Sequence, residues 1–199
     1  SYVDHPSFGV SILSRVLEAK GYKVAILPQP NWHSDKDFKR FGKPRLGFLV
    51  TSGNIDSMVA HYTAAKRRRS DDAYTAGGKS GGRPDRAVIV YSKIIKRIYP
   101  DSPVIIGGLE ASLRRFAHYD YWDDAVRPSI IFDSGADILT YGMGENQTME
   151  IADRLSKGCT VEQLHDIRGI CYAVRTQDYI PSHATECASY EVVRENKKE

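Results

Sequence analysis

Runs of consecutive apolar residues, each only a few positions long and closed by glycine, proline or a polar turn, alternate along this chain with stretches in which apolar residues recur every three or four positions. RLGFLVT at 45–51, PVII at 103–106 and DILTY at 137–141 are of the first kind. Val10, Leu13, Val16 and Leu17 are of the second, as are Ala87, Val88, Tyr91, Ile94, Ile95 and Ile98, and again Met149, Ile151, Ala152 and Leu155. A strand that is apolar at every position has no water-facing side, so its sheet must be covered on both faces. Strands alternating with amphipathic helices supply that cover and favour parallel pairing. The expected fold is therefore α/β, an open doubly wound sheet that is mostly parallel.

In chain order the pattern predicts helices over 7–20, weakly over 55–65, from Pro84 to Pro100, over 144–158 and over 160–165, with a loop and short helix at 32–41. Strands are expected at 22–27, 45–51, 103–106, 129–133, 137–141, 170–174 and 190–193. In a doubly wound sheet, ligands gather at the carboxyl ends of the strands. Asp4 and His5, residues 51–54, residues 107–115 and residues 141–145 are expected along that edge. Gly107 and Gly108 there would admit a close ligand or backbone, although from this motif alone a tight turn opening the next helix is the favoured account. Arg114 and Arg115 have Glu110, Asp120, Asp123 and Asp124 close in sequence, enough to neutralise one another in a loop-holding network.

The chain has 199 residues, of which 41% are hydrophobic and 27% charged, values of an ordinary globular domain rather than a disordered one. A net charge of +3 permits an anionic ligand and falls short of a nucleic-acid-binding surface. No apolar run approaches the ~20 residues of a membrane span, and no signal segment is visible, so the expected location is the cytoplasm. Cys159, Cys171 and Cys187 are too widely spaced for a zinc or cluster loop and read as reduced thiols without a ligand role. GGKS at 77–80 suggests a phosphate loop, but the preceding strand, the fuller glycine frame and the helix directly after are all missing. The basic run at 66–69 reads as a solvated surface, with RNA binding as the lesser alternative. His118 and Asp120 offer two metal ligands, too few for a site.

Seven stretches taken together carry more than any one motif: YVDHPSFG at 2–9, TSGNIDSM at 51–58, RSDDAY at 69–74, RPDR at 83–86, GGLEASLRR at 107–115, HYDYW at 118–122 and YGMGE at 141–145. In this order they closely resemble the N-terminal domain of the YgiQ-type radical SAM proteins, and they cover most of residues 1–175. The same region is similar in plan to the cobalamin-binding domains, flavodoxin-like in fold, that precede other radical SAM cores. Those that ligate cobalamin through histidine use Asp-x-His-x-x-Gly, whereas here His5 adjoins Asp4; this departure argues against histidine ligation and leaves cobalamin bound without a protein ligand open.

The resemblance implies a two-part enzyme. A downstream barrel would carry Cys-x-x-x-Cys-x-x-Cys, whose thiolates hold a [4Fe-4S] cluster, with S-adenosylmethionine on the remaining iron. One electron from the cluster cleaves the sulfonium and yields a 5′-deoxyadenosyl radical that takes hydrogen from substrate. Residues 1–158 would then be the accessory domain and 159–199 a short helix and strands leading towards the barrel, with the sheet's first strand expected ahead of Ser1. No cofactor and no metal are expected in this part itself. The residues expected to face the ligand or the barrel are Asp4, His5, Asn54, Asp56, Glu110, Arg114, Arg115, His118, Tyr119, Tyr121, Trp122 and Glu145. Alternatives are a corrinoid- or nucleotide-binding module and an RNA-binding accessory domain.

Overall fold

The computed structural model describes residues 9–175 and 183–196. Helix α1 (Gly9–Ala19) leads through an irregular stretch and a series of turns to strand β1 (Phe48–Val50) and helix α2 (Ser57–His61). After a long irregular segment come helix α3 (Ala87–Ile98), strand β2 (Val104–Ile106), helix α4 (Gly108–Leu113) and a hairpin of β3 (His118–Asp120) and β4 (Ala125–Arg127). The order then continues with α5 (Ile130–Ser134), β5 (Ile138–Thr140), α6 (Glu145–Ser156), β6 (Ile170–Tyr172) and α7 (Tyr190–Glu195).

The main sheet has the order β1-β2-β5-β6. Its first three strands are parallel, with Leu49 opposite Ile105 and Ile106 opposite Leu139, and β6 closes it antiparallel to β5 with Cys171 opposite Leu139. Alternation along the strands sends side chains to two separate cores. Val50, Val104, Ile106 and Leu139 pack with Ala87, Val88, Tyr91, Ile94 and Ile95 of α3 and with Ile130 and Ile131 of α5. On the opposite face, Ile105 and Ile138 pack with Ile151 of α6 and with Leu164 and Ile167. A sheet covered on both faces explains strands that are apolar throughout.

Two of the expected strands are helices. At 129–133 the Ser129 hydroxyl accepts the Ile131 N–H, Gly135 ends the turn at φ 67°, and Ile130 and Ile131 are buried against the core. A short apolar run carries no period of its own, and here the cap decided it. At 190–193 the Ser189 hydroxyl accepts from Val192 in the same way. Residues 22–26 alternate between half-buried and exposed, yet 22–27 form no strand and pair with none among the described residues. The pattern specifies the backbone, but a strand also needs a ladder partner. The long helix starts at Ala87 rather than Pro84, because Arg86 stands before it in the left-handed region at φ 52°.

Candidate functional site

Thr51, Gly107 and Tyr141 follow directly on three parallel strands, so the loops at 51–56, 107–115 and 141–145 share the carboxyl edge of the sheet. A side chain on Gly107 would meet the Thr140 hydroxyl at 2.7 Å, and one on Gly108, which has φ +81°, would collide with the Thr51 hydroxyl. The domain's own threonines thus fill the space beside both glycines. The pair is a packing device that lets β2 turn into α4 between its two neighbours.

Three expected site residues meet beneath this turn. Glu110, only 1% exposed, accepts the Ser57 N–H and the Val88 N–H, each at 2.9 Å, so its two oxygens cap the first turns of α2 and α3. The Ser57 hydroxyl in turn accepts the Ala87 N–H at 3.0 Å. Asp56 caps α2 through the Met58 and Val59 N–H groups and pairs with Arg114, which also donates to the Glu110 carbonyl. Helix N-termini expose unpaired N–H groups and positive partial charge, and carboxylates satisfy both. Asp56, Glu110 and Arg114 are therefore gathered into one knot directed at the domain's own backbone.

The aromatic stretch forms the hairpin, an element the sequence reading did not contain. Asp120, buried where β3 enters the turn, accepts the Trp122 and Asp123 N–H groups and pairs with Arg86. Burial opposes ionisation of Asp120, but those N–H groups and Arg86 outweigh it and hold its pKa below the ordinary carboxylate value. His118 lies opposite Arg127 and contacts the Phe116 carbonyl; burial, with the Arg114 and Arg127 charges, pushes its pKa down. Tyr119 is exposed and donates to Asp124. Tyr121 donates to the Ala64 carbonyl at 2.6 Å, Lys66 stands 4.7 Å over its ring, and the Trp122 indole N–H is buried without an acceptor among the described residues. The hairpin clasps the irregular segment that carries the basic run.

That segment is anchored by a buried ionic cluster to which the sequence reading assigned no role. Arg83, 1% exposed, donates to both oxygens of Asp72 and to the Ser52 carbonyl. His61 lies between Asp85, 2.7 Å from its Nδ1, and Asp72, 3.8 Å from its Nε2, and the Tyr62 hydroxyl also donates to Asp85. Burial would raise the Asp72 carboxyl, but the Tyr74 N–H, the Thr75 hydroxyl and Arg83 together hold it below the ordinary range. The sequence signal for it lies in RSDDAY at 69–74 and RPDR at 83–86, charge-rich stretches within a loop too long to be idle. The GGKS glycines form a 3₁₀ turn at Ala76–Gly78 in this segment, joined back by the Asp72 N–H to the Gly78 carbonyl, with α3 beginning only at Ala87.

Arg115, Asn54 and Glu145 are the expected site residues left with open capacity at the edge. Arg115 donates to the Ser112 carbonyl at 2.7 Å, and its guanidinium lies 4.9 Å from the Phe116 ring centre and 5.1 Å from that of Tyr141. No carboxylate pairs with it among the described residues. Asn54 and Glu145 are half-buried and lack a side-chain partner among the described residues. Asp4 and His5 lie outside the described residues. Cys159 and Cys171 are half-buried and Cys187 is exposed; no group of three His, Cys, Asp or Glu side chains is placed to hold a metal among the described residues. Burial raises the Cys171 pKa, against the opposing charge of Arg115, and so favours the thiol over the thiolate that a cluster requires. These cysteines do not fit an iron-sulfur cluster. No described helix is long and apolar enough to cross a membrane.

Comparison with known proteins gives one consistent result. The chain is 56% identical over 202 residues to a UPF0313 protein of Clostridium botulinum (strain 657 / Type Ba4), matching 100% of this chain and 31% of that protein. A UPF0313 protein of Thermotoga neapolitana is 52% identical over 196 residues, matching 98% of this chain and 34% of that protein. The chain thus spans about a third of the length of the curated relatives it matches. No solved structure matches it. The family described as Radical SAM N-terminal matches residues 1–199, end to end, and the chain belongs to that family.

Proposed function

We propose that this chain is the N-terminal accessory domain of a radical SAM iron-sulfur enzyme and that its strand-end loops cover or shape the substrate or cofactor site of a barrel further along the same polypeptide. The observation that carries the proposal is the match to Radical SAM N-terminal over residues 1–199 in a chain about a third as long as its relatives. The [4Fe-4S] cluster and S-adenosylmethionine belong, on this reading, to the longer protein, because the cysteines here do not converge on a cluster. The domain's part is positional. Its carboxyl edge is held rigid from below by the Asp56, Glu110 and Arg114 knot, while Arg115, Asn54 and Glu145 remain open to contact. The protein is assigned to the cytoplasm, where an oxygen-sensitive cluster is kept reduced.

The test is anaerobic expression of the full-length protein, reconstitution of its cluster and measurement of 5′-deoxyadenosine released from S-adenosylmethionine under reducing conditions. Release is expected. An intact cluster that leaves S-adenosylmethionine uncleaved rejects the enzyme reading. A second reading, a corrinoid- or nucleotide-binding module, is favoured by the unpaired Arg115 at a strand-end edge. Saturable micromolar binding of a cobalamin or an adenine nucleotide to the full-length protein, lost in Arg115→Ala, would support it over a purely docking role.

A further inference from the structure

The carboxyl edge carries an apolar surface that no part of the described chain covers. Leu109 and Leu113, one turn apart on α4, are 47% and 63% exposed, and Phe116 just beyond is 62% exposed. Arg115 joins this strip to the next loop, because its guanidinium stacks on both Phe116 and Tyr141, and Met143, two residues further, is 80% exposed. Large side chains grouped in this way, around one cation without a carboxylate, have the composition of an interface core: aromatic, methionine and arginine anchors with few other charges. Exposed apolar residues on other elements, such as Phe41 and Phe132, are ordinary for a protein surface.

We propose that this surface is the docking face for the remaining two-thirds of the polypeptide, and that the segment seated on it presents apolar side chains and a carboxylate to Arg115. This deepens the reading under Proposed function and rests on it for the existence of the downstream part. Two observations select that occupant. The relatives extend well beyond the matched region, which is described as N-terminal. The last described helix, α7, returns to the hairpin, with the Tyr190 hydroxyl on the Val126 carbonyl at 3.5 Å, and α5, which follows the hairpin directly, is joined to the end of α4 through the Ile130 N–H on the Arg114 carbonyl at 2.9 Å. The last described helix is thus linked to the end of α4 through the hairpin and α5.

Hydroxyl-radical labelling of the full-length protein, read by mass spectrometry, tests this without any dependence on catalysis. Met143, Leu113 and Phe116 are expected to label several-fold more slowly than their exposure here implies, while Phe41 and Phe132 label as exposed references. The double variant Leu113→Lys, Met143→Lys is expected to bring Phe116 up to the reference rate, and Arg115→Glu to do so in part. Leu113 and Met143 are exposed, so the double variant leaves the domain's own fold intact, and urea unfolding midpoints check the same for Arg115→Glu. Unprotected residues in the wild-type protein overturn the proposal. So does protection that appears only as concentration rises and the mass doubles, which assigns the face to a second copy, or protection lost on dialysis, which assigns it to a small ligand. Protection without S-adenosylmethionine cleavage defeats only the enzyme reading, and cleavage with an open Met143 defeats only the docking face.

Discussion

Gly108 shows how a single residue can look like a ligand site and be a packing one. Its φ of +81° excludes most side chains, and Thr51 fills the space a Cβ would need. Gly108→Ala is expected to destabilise the domain by about 2 kcal/mol or more, the cost of a left-handed alanine plus the collision. Adding Thr51→Ala is expected to recover only the collision, as read from urea unfolding midpoints of the single and double variants. Glu110 is the companion case. Glu110→Ala leaves the Ser57 and Val88 N–H groups buried without acceptors. Its expected cost is about 2–5 kcal/mol, with Glu110→Gln, which keeps one oxygen, losing roughly half as much. Glu110 was legible from sequence as important for the loop. Its direction was not, because a carboxylate two residues after a glycine pair serves a ligand and a helix N-terminus equally well.

At the scale of elements, the irregular segment between α2 and α3 owes its shape to ionic contacts rather than to apolar burial. Arg83 and Asp72 are both buried and paired. Breaking such a pair leaves an uncompensated charge inside the protein, so Asp72→Asn is expected to cost about 3–5 kcal/mol. The same pair sets a pH dependence. The Asp72 pKa is lower in the folded protein than in the unfolded chain, so its contribution is fully present above the unfolded value of about 4 and is lost as pH falls towards the folded one. Urea midpoints measured from pH 7 to pH 3 should fall at the acid end, and the slope there should be shallower in Asp72→Asn. A slope unchanged by the substitution would remove Asp72 as a source of the acid sensitivity. This segment shows the limit of reading elements from periodicity. Helices α3 and α6 announce themselves by spacing over twelve residues each, whereas α5, α7 and the hairpin are too short to carry a period and are decided by a serine cap or by Arg86 and Asp120.

The molecule as a whole is a sheet with two cores. Ile105 and Ile106 are neighbours in β2 whose side chains enter opposite cores, and both are almost fully buried. Ile105→Ala and Ile106→Ala are each expected to cost about 2–5 kcal/mol in urea unfolding. A near-neutral result for either would mean that one face of the sheet is open. The class of fold follows from the residue pattern alone, because uninterrupted apolar strands require cover on both faces and amphipathic helices between them are the only material available. The residue pattern also determined the family, through long motifs in a fixed order, and the edge at which the loops gather. What those loop residues do was settled by how the elements pack. Whether Glu110, Asp56 and Arg114 turn outward or inward depends on where the N-termini of α2 and α3 come to rest, 22 to 53 residues away along the chain for Glu110. Pairing across such separations is set by the packing of the sheet, and no local pattern of residues encodes it.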